Sequence, residues 1–237
     1  MITLLVEPPS LAGEELTVAA AAYRHLFRAR RLAPGARLRV VDGQGRARWG
    51  EVARVGRASA LVRLGGPAPG NEPALRLELL VATLRPERAA WLVEKVTELG
   101  VAAVRFVGGE RAPRRFGGGT LERLRRVAGA AVEQCHRSLC PDLSGPHDLA
   151  DADRLAAGLA GRWLLDRDGI EPAAGGFGPP QPSGALLVGP EGGWSPAERD
   201  TLIASLWRPV ALGPRVLRIE TAATIGAALL LLQSPPQ

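Results

Sequence analysis

The chain has 237 residues, of which 46% are hydrophobic, so it can bury the core of one large domain or of two modest ones. No apolar run approaches the roughly 20 residues that span a bilayer, and no signal peptide is evident, so we expect a cytoplasmic protein with no membrane segment. The net charge of +6 comes almost entirely from arginine, because Lys95 is the single lysine.

Cysteine and histidine are too few and too scattered for a metal site. Cys135 and Cys140 lie near the end of a predicted helix, and a disulfide framework would need more cysteines in a secreted protein. His25, His136 and His147 form no pair at the i, i+4 spacing of helical metal ligands. We therefore predict no metal and interpret both cysteines as small apolar side chains.

The first third of the chain is basic and has the pattern of a small β domain. Residues 1 to 73 hold eleven arginines and six carboxylates, whereas the remainder is nearly neutral. A short basic helix is predicted over residues 19 to 31. It is followed by strands over residues 37 to 41 and 49 to 55, and the Asp42-Gly43 pair between them is typical of a hairpin. The pattern favours a β-barrel with one basic helix.

A stretch rich in glycine and proline, residues 65 to 73, follows this segment. We place a domain boundary there, although an ordinary long turn has the same composition. Beyond it, predicted strands alternate with predicted helices. The strands cover residues 75 to 83, 101 to 107, 162 to 166 and 185 to 188, and the helices cover residues 86 to 99, 121 to 137, 196 to 206 and 221 to 233. Such alternation indicates an α/β domain with a mostly parallel sheet covered by helices.

Two loops that contain glycine and proline follow apolar runs in the last fifth of the chain. The sequence GPEGGW occupies residues 189 to 194, and GPRVLRIE occupies residues 213 to 220. Loops at the carboxyl ends of parallel strands commonly bind ligands. Each loop alone could be a plain strand-to-helix turn or a salt-bridged surface turn. The charges of Arg215, Arg218 and Glu220 at the start of an apolar helix favour a binding site.

The sequences GPEGGWSPAE at residues 189 to 198 and LGPRVLRIETAA at residues 212 to 223 resemble the carboxyl-terminal signature of the RsmE family. Further matches are HLFRARR from residue 25, EKVTELGV from residue 94 and EQCHR from residue 133, so the resemblance spans nearly the whole chain. RsmE enzymes are bacterial methyltransferases of the knotted SPOUT class that modify N3 of a uridine in 16S ribosomal RNA. The chain departs from the family at Arg85-Pro86, where a lysine-glycine pair is usual.

The resemblance implies an α/β fold in two domains. Residues 1 to 70 would form a PUA-like RNA-binding β-barrel, and residues 74 to 237 a SPOUT methyltransferase domain with a trefoil knot. The implied cofactor is S-adenosylmethionine, the implied substrate is 16S ribosomal RNA of the small ribosomal subunit, and the implied assembly is a homodimer. The implied cofactor-binding residues are Gly189, Pro190, Glu191, Gly192, Gly193, Leu212, Gly213, Leu217, Arg218, Thr221 and Ala222.

Methylation of uridine N3 requires loss of the N3 proton before or during attack on the methyl group. Either a general base or a cation that stabilises the uridine anion could assist this loss. We expect Arg218 to stabilise the anion and orient the base, and Glu220 to hold Arg218 or to accept the proton. The residues expected to bind RNA are Arg24, Arg28, Arg30, Arg114, Arg115 and Arg137. A solvated arginine-rich surface would have the same composition.

Two alternative functions are compatible with the sequence. A non-catalytic RNA-binding or ribosome-assembly protein could retain the same fold, and it would not bind S-adenosylmethionine. A SPOUT enzyme with another target, such as a ribose 2′-hydroxyl in transfer RNA, would produce a different modified nucleoside. The final helix is apolar on nearly every side from residue 225 to 232, which suits burial either in a core or across a dimer interface.

Overall fold

The chain divides into two compact units. The computed structural model describes residues 1 to 111, 116 and 118 to 233. The first unit comprises Met1–Glu72 and Gly129–Cys140, and the second comprises Pro73–Ala128 and Pro141–Gln237. Among the described residues, none of the helices combines the length and the apolar character that a bilayer-spanning segment requires.

The first unit is built on a five-stranded sheet that is curled into a half-barrel. Its strands are β1 (Thr3–Leu5), β2 (Glu15–Ala19), β3 (Arg37–Val41), β4 (Ala47–Val55) and β5 (Ser59–Pro67). Their order in the sheet is β1-β3-β4-β5-β2, with β1 parallel to β3 and the other pairs antiparallel. Alternate residues point inward, so Leu38, Val40 and Val62 are fully buried in the core of this unit.

The predicted hairpin and basic helix are both present in this unit. Helix α1 (Ala20–Tyr23) continues as a π-helical turn over Arg24–Ala29. Between β3 and β4, the carboxylate of Asp42 accepts hydrogen bonds from the amides of Gln44 (2.8 Å) and Arg46 (3.0 Å) and from Nε of Arg46 (2.6 Å). Burial alone would raise the pKa of Asp42, but these hydrogen bonds outweigh burial and lower it.

The second unit is a parallel six-stranded sheet with helices packed against it. Its strands are β6 (Arg76–Ala82), β7 (Ala103–Gly108), β8 (Asp142–Asp148), β9 (Gly161–Ile170), β10 (Ser183–Val188) and β11 (Arg208–Val210). Its helices are α2 (Pro86–Leu99), α3 (Thr120–Cys135), α4 (Ala152–Leu155), α5 (Pro196–Ala204) and α6 (Ile219–Gln233). The strand order is β11-β9-β10-β6-β7-β8, and every neighbouring pair is parallel. This arrangement confirms the predicted α/β alternation, and it adds the edge strand β8, which the sequence pattern did not reveal.

Alternate residues of β6 supply two hydrophobic cores. Leu79 and Val81 belong to the core that contains residues of α2, α3 and α6, whereas Leu80 belongs to the core that contains residues of α4 and α5. Helix α2 begins at Pro86 and ends at Gly100, whose φ of 106° is accessible mainly to glycine. The long buried strands explain why their sequences are nearly continuous apolar runs.

The segment Gly129–Cys140, which includes the end of α3, joins the first unit through a buried ion pair. Arg137 donates from Nε and Nη2 to Oε2 of Glu72 at 2.9 and 2.7 Å. Oε1 of Glu72 accepts from the amides of Ser138 and Leu139, both at 3.0 Å. Because removing one partner of a buried ion pair leaves an uncompensated charge, this cluster fixes the segment in place.

These contacts correct the prediction that Arg137 binds RNA. Only 3% of its side chain is exposed, and its guanidinium is held by Glu72, so it does not present a surface charge to a phosphate. Its neighbour His136 is also engaged, since Nδ1 of its ring lies 2.8 Å from Oγ1 of Thr3. The charge of Arg137 therefore stabilises the fold.

Candidate cofactor-binding site

The ends of β9, β10 and β11 surround a cavity of about 290 Å³. Both β10 and β11 pair with β9, so the loops that follow β10 and β11 lie on either side of the end of β9. The apolar part of the wall includes Leu165, Val188, Val210, Leu212, Val216, Leu217, Ile219 and Ala222. Both glycine-containing loops, at which the sequence predicts a binding site, therefore line one cavity.

Most of the residues implied to bind the cofactor line this cavity. The eight that do are Gly189, Pro190, Glu191, Gly193, Leu212, Gly213, Leu217 and Ala222. The other three are absent from the cavity wall. Gly192 is exposed, Arg218 is exposed with its carbonyl accepting from the amide of Ala222 (2.9 Å), and Thr221 is half-buried.

The GPEGGW loop is a tight turn that leads directly into α5. The amide of Gly193 donates to the carbonyl of Pro190 at 2.8 Å, and Gly193 has a φ of 67°. Ser195 caps α5, because its Oγ accepts from the amide of Glu198 (3.3 Å) while Oε2 of Glu198 accepts from the amide of Ser195 (2.7 Å). This reciprocal pair is a capping box, and it orients the loop relative to the helix.

The chain that follows β7 also supports the GPEGGW loop. The amide of Glu110 donates to Oε1 of Glu198 at 3.0 Å, and Nη1 of Arg111 donates to the carbonyl of Gly192 at 2.7 Å. The indole of Trp194 packs so closely on Gly109 that a Cβ on that glycine would lie 2.7 Å from the ring. Sequence analysis did not identify these contacts, because they join positions more than 80 residues apart.

A bulge in β9 brings further charged residues to the cavity. In the pairing of β11 with β9, Pro209 is opposite Leu164, whereas the next residue, Val210, is opposite Ile170. The residues of β9 between these two positions therefore do not pair with β11. Asp166, Arg167 and Asp168 lie in this bulge and line the cavity. A Cβ on Gly169 would lie 2.5 Å from the amide nitrogen of Val210, so the bulge requires glycine at that position. In the sequence, these charged residues come directly after the apolar run that ends at Leu165, and this pattern could have indicated that they belong to the site.

An arginine of α5 holds this bulge. Nε of Arg199 donates to Oδ2 of Asp166, and Oδ1 of Asp166 accepts from the amide of Asp168 at 2.9 Å. The hydrogen bond with Asp166 and the charge of that carboxylate raise the pKa of Arg199. Asp166 is consequently fixed, whereas the side chain of Asp168 stays exposed at the wall.

Glu220 is buried in the first turn of α6, with 8% of the residue exposed. Its Oε1 lies 3.8 Å from Nε of Arg88, and Nη1 of Arg88 donates to Oε1 of Glu191 at 2.5 Å. The hydrogen bond with Glu191 and the charge of Glu220 raise the pKa of Arg88. The expectation that Glu220 holds Arg218 is wrong for this structure, because the cation beside Glu220 is Arg88. Among the described residues, Arg218 forms no ion pair.

The arginines predicted to bind RNA in the first unit are exposed. Arg24 and Arg28 lie on the π-helical turn, and Arg30 follows it directly. The Arg28 guanidinium lies 5.7 Å from the centroid of the Tyr23 ring, and its Nη2 donates to the carbonyl of Arg57 at 2.9 Å. Two more predicted RNA contacts, Arg114 and Arg115, lie outside the described residues. Within residues 1 to 111, 116 and 118 to 233, no cluster of side chains is suited to hold a metal ion.

Comparison with known proteins identifies both parts of the chain. A family model for an RNA methyltransferase domain matches residues 71 to 231, and one for an RNA methyltransferase PUA domain matches residues 18 to 65. The ribosomal RNA small subunit methyltransferase E of Synechocystis sp. is 30% identical over 232 residues, which are 95% of this chain and 75% of that protein.

Solved structures share the fold. The ribosomal RNA small subunit methyltransferase E of Neisseria gonorrhoeae, bound to S-adenosyl methionine, aligns with 96% of this chain and 95% of its own, with a TM-score of 0.83 and 24% identity. A protein of Legionella pneumophila, regarded as a methyltransferase and solved with bound SAM, aligns with 97% of this chain and 96% of its own, with a TM-score of 0.80 and 25% identity. The expected combination of a PUA-like domain and an α/β methyltransferase domain is confirmed.

The match to the methyltransferase domain covers more than half of the chain, and the Synechocystis relative matches it over nearly its whole length. This chain therefore belongs to the ribosomal RNA small subunit methyltransferase E (RsmE) family.

Proposed function

We propose that this chain transfers a methyl group from S-adenosylmethionine to N3 of a uridine in 16S ribosomal RNA of the small ribosomal subunit. The observation that carries the proposal is the cavity formed jointly by the two loops that resemble the RsmE signature. Family membership supports the substrate class, since the Synechocystis relative is a small-subunit ribosomal RNA methyltransferase. The trefoil knot of the SPOUT class remains part of this proposal.

The residues around the cavity fit S-adenosylmethionine. A volume of about 290 Å³ is close to the lower end of the range for small-molecule sites, roughly 300 to 1,000 Å³. Apolar side chains such as Leu165, Val188 and Leu217 suit the faces of an adenine ring. Backbone groups at Gly189 and Gly213 are accessible for hydrogen bonds to its edge. The carboxylates of Asp168 and Glu191 suit the ribose hydroxyls and the positive charge of the ligand.

When bound, S-adenosylmethionine supplies an activated methyl group, so the protein mainly has to position the donor and prepare the acceptor. Glu220 is the proposed acceptor of the N3 proton. Its Oε2 is buried and has no hydrogen-bond partner among the described residues, although Glu220 is not part of the cavity wall. Arg218 stays exposed at the start of α6, where a guanidinium can stabilise negative charge on the uracil carbonyl oxygens.

The PUA-like part of the chain supplies the proposed RNA contacts. Arg24, Arg28 and Arg30 are exposed, and arginine can pair with phosphate through two nitrogens and stack on bases. The homodimer also remains a proposal. Exposed apolar side chains on α2 and α6, namely Trp91, Ile225 and Leu232, suit a dimer interface. Light scattering at micromolar protein concentration measures the mass in solution and distinguishes a dimer from a monomer.

We expect the protein to convert uridine to 3-methyluridine when it is incubated with labelled S-adenosylmethionine and RNA from a strain that lacks the modification. Intact small subunits and naked 16S ribosomal RNA should be tested in parallel, and mass spectrometry of the digested RNA identifies the nucleoside. A ribose-methylated product would indicate another target. Absence of both labelled product and calorimetric binding of the cofactor would indicate a non-catalytic RNA-binding protein.

We expect Gly213→Ala to weaken binding of S-adenosylmethionine by about tenfold, because a side chain is strained at a φ of 90° and a backbone shift that relieves this strain changes the shape of the cavity wall. Gly175→Ala is the matched control. Gly175 has a φ of 82°, and a Cβ added to either glycine would meet no atom within 4 Å. Calorimetry should show weaker binding for the Gly213 variant alone, and equal binding by both variants would argue against this cavity as the cofactor site.

We expect Glu220→Gln to slow single-turnover methyl transfer by about 10²- to 10⁴-fold at saturating cofactor, since this is the usual contribution of a general base. Arg218→Ala should slow the same step by about 10²- to 10³-fold if it stabilises the developing anion. Glu122→Gln removes a carboxylate from the first turn of α3 and serves as the control. Near-normal rates for both site variants would refute these assignments.

We expect the triple variant of Arg24, Arg28 and Arg30 to alanine to bind RNA more weakly, with the slope of log K against log salt reduced by up to about 3. A second triple variant should replace Arg37, Arg54 and Arg63, which are exposed on strands of the same unit, so that both proteins lose the same charge. Filter binding over a range of salt concentrations compares the two. Equal losses would mean that overall charge, rather than this surface, determines affinity.

A further inference from the structure

Arg88 connects the two loops that form the proposed site, although it belongs to neither. It lies in the first turn of α2, which begins at Pro86. Its Nη1 donates to Glu191 of the GPEGGW loop at 2.5 Å, and its Nε lies 3.8 Å from Oε1 of Glu220 at the start of α6. Helices α2 and α6 pack against each other, which brings their amino-terminal turns to the same place.

The position of Arg88 is unfavourable for α2 itself. The amino terminus of a helix carries a partial positive charge, so a cation in the first turn is repelled. Glu87, the preceding residue, has the charge that this turn prefers. The two carboxylates therefore account for the placement of Arg88, whereas the stability of α2 does not.

Glu220 needs a compensating charge because it is buried. An ionised carboxylate loses its hydration on burial, which is unfavourable unless a cation or hydrogen bonds replace the water. The amino-terminal turn of α6 supplies part of this compensation, and Arg88 supplies a full charge. Arg88 thus lies where its positive charge can compensate the buried carboxylate.

The two contacts of Arg88 differ in kind. The 2.5 Å contact with Glu191 is a hydrogen bond, whereas the 3.8 Å separation from Glu220 is too long for one. Arg88 thus neutralises Glu220 without occupying either of its oxygens as a hydrogen-bond acceptor. Oε2 of Glu220 is buried and has no partner in the described part of the chain. A carboxylate oxygen that accepts no hydrogen bond is suited to the role of general base.

We propose that Arg88 is a positioning residue for methyl transfer, which compensates the charge of Glu220 and fixes it relative to the GPEGGW loop. This inference rests on the proposed function. In the step that it serves, the N3–H bond of uridine breaks, the proton passes to Oε2 of Glu220, and the electron pair remains on N3. Arg88 keeps its own proton and acts through Glu220, so it is not itself the base.

The test is a double-mutant cycle with Arg88→Met, which retains the aliphatic stem and removes the charge, and Glu220→Gln. We expect Arg88→Met alone to slow single-turnover methyl transfer by about 10- to 100-fold at saturating cofactor, and to have little further effect in the Glu220→Gln background, because residues that act as a unit are non-additive. Arg88→Lys should recover most of the rate, since the contact with Glu220 is ionic. Arg154→Ala breaks an exposed 3.1 Å pair with Asp151 in the same unit and is the matched control.

Thermal unfolding without cofactor gives a second readout. Arg88→Met leaves a buried carboxylate unpaired, so we expect its Tm to fall by a few degrees, and to fall much less when Glu220 is already glutamine. Equal effects of Arg88→Met on rate and Tm in both backgrounds would overturn the proposal, because Arg88 would then act independently of Glu220. A normal rate for Glu220→Gln alone would instead refute the proposed base, so the two failures are distinguishable.

Discussion

Parallel pairing of β9 with both β10 and β11 is the constraint on which the site depends. The loops after β10 and β11 are separated in sequence by α5, and they share one cavity because their strands flank a common neighbour. The register jump from Leu164 to Ile170 then moves the end of β9 out of the ladder and into the cavity wall. Since all neighbouring strands of this sheet are parallel, the carboxyl ends of all strands lie at the same edge. Turns that follow different strands can therefore line one cavity.

The sequence predicted those features that depend on neighbouring residues. The Pro86 start and Gly100 end of α2, the capping box of Ser195 and Glu198, and the Asp42-Gly43 hairpin each result from interactions within a few residues. The glycine-rich loops after apolar runs were recognisable for the same reason. Strand β8 was missed because Ser144, Gly145 and Pro146 interrupt its apolar pattern. An edge strand tolerates such residues, since only one of its two sides forms hydrogen bonds to a neighbouring strand.

Features that depend on distant residues could not be predicted in the same way. Arg88 precedes Glu191 by 103 positions, and Arg111 precedes Gly192 by 81, so no local periodicity links either pair. Glu220 and Arg218 are two positions apart, which made their pairing the simplest expectation. Arg218, however, directly precedes α6 and stays exposed, whereas Glu220 is buried in the first turn of α6. The packing of α2 on α6 presents Arg88 to Glu220 instead.

Arginine serves three physical roles in this chain, and composition alone cannot separate them. Arg39 and Arg137 are buried, and their hydrogen bonds to backbone carbonyls or to Glu72 make them part of the fold. Arg24 and Arg30 are exposed, so their charge is available to a polyanion. Arg88 is intermediate, because it is partly exposed yet bound to two carboxylates from different loops. The partner of each guanidinium, rather than the net charge of +6, therefore indicates which arginines stabilise the protein and which remain available to a ligand.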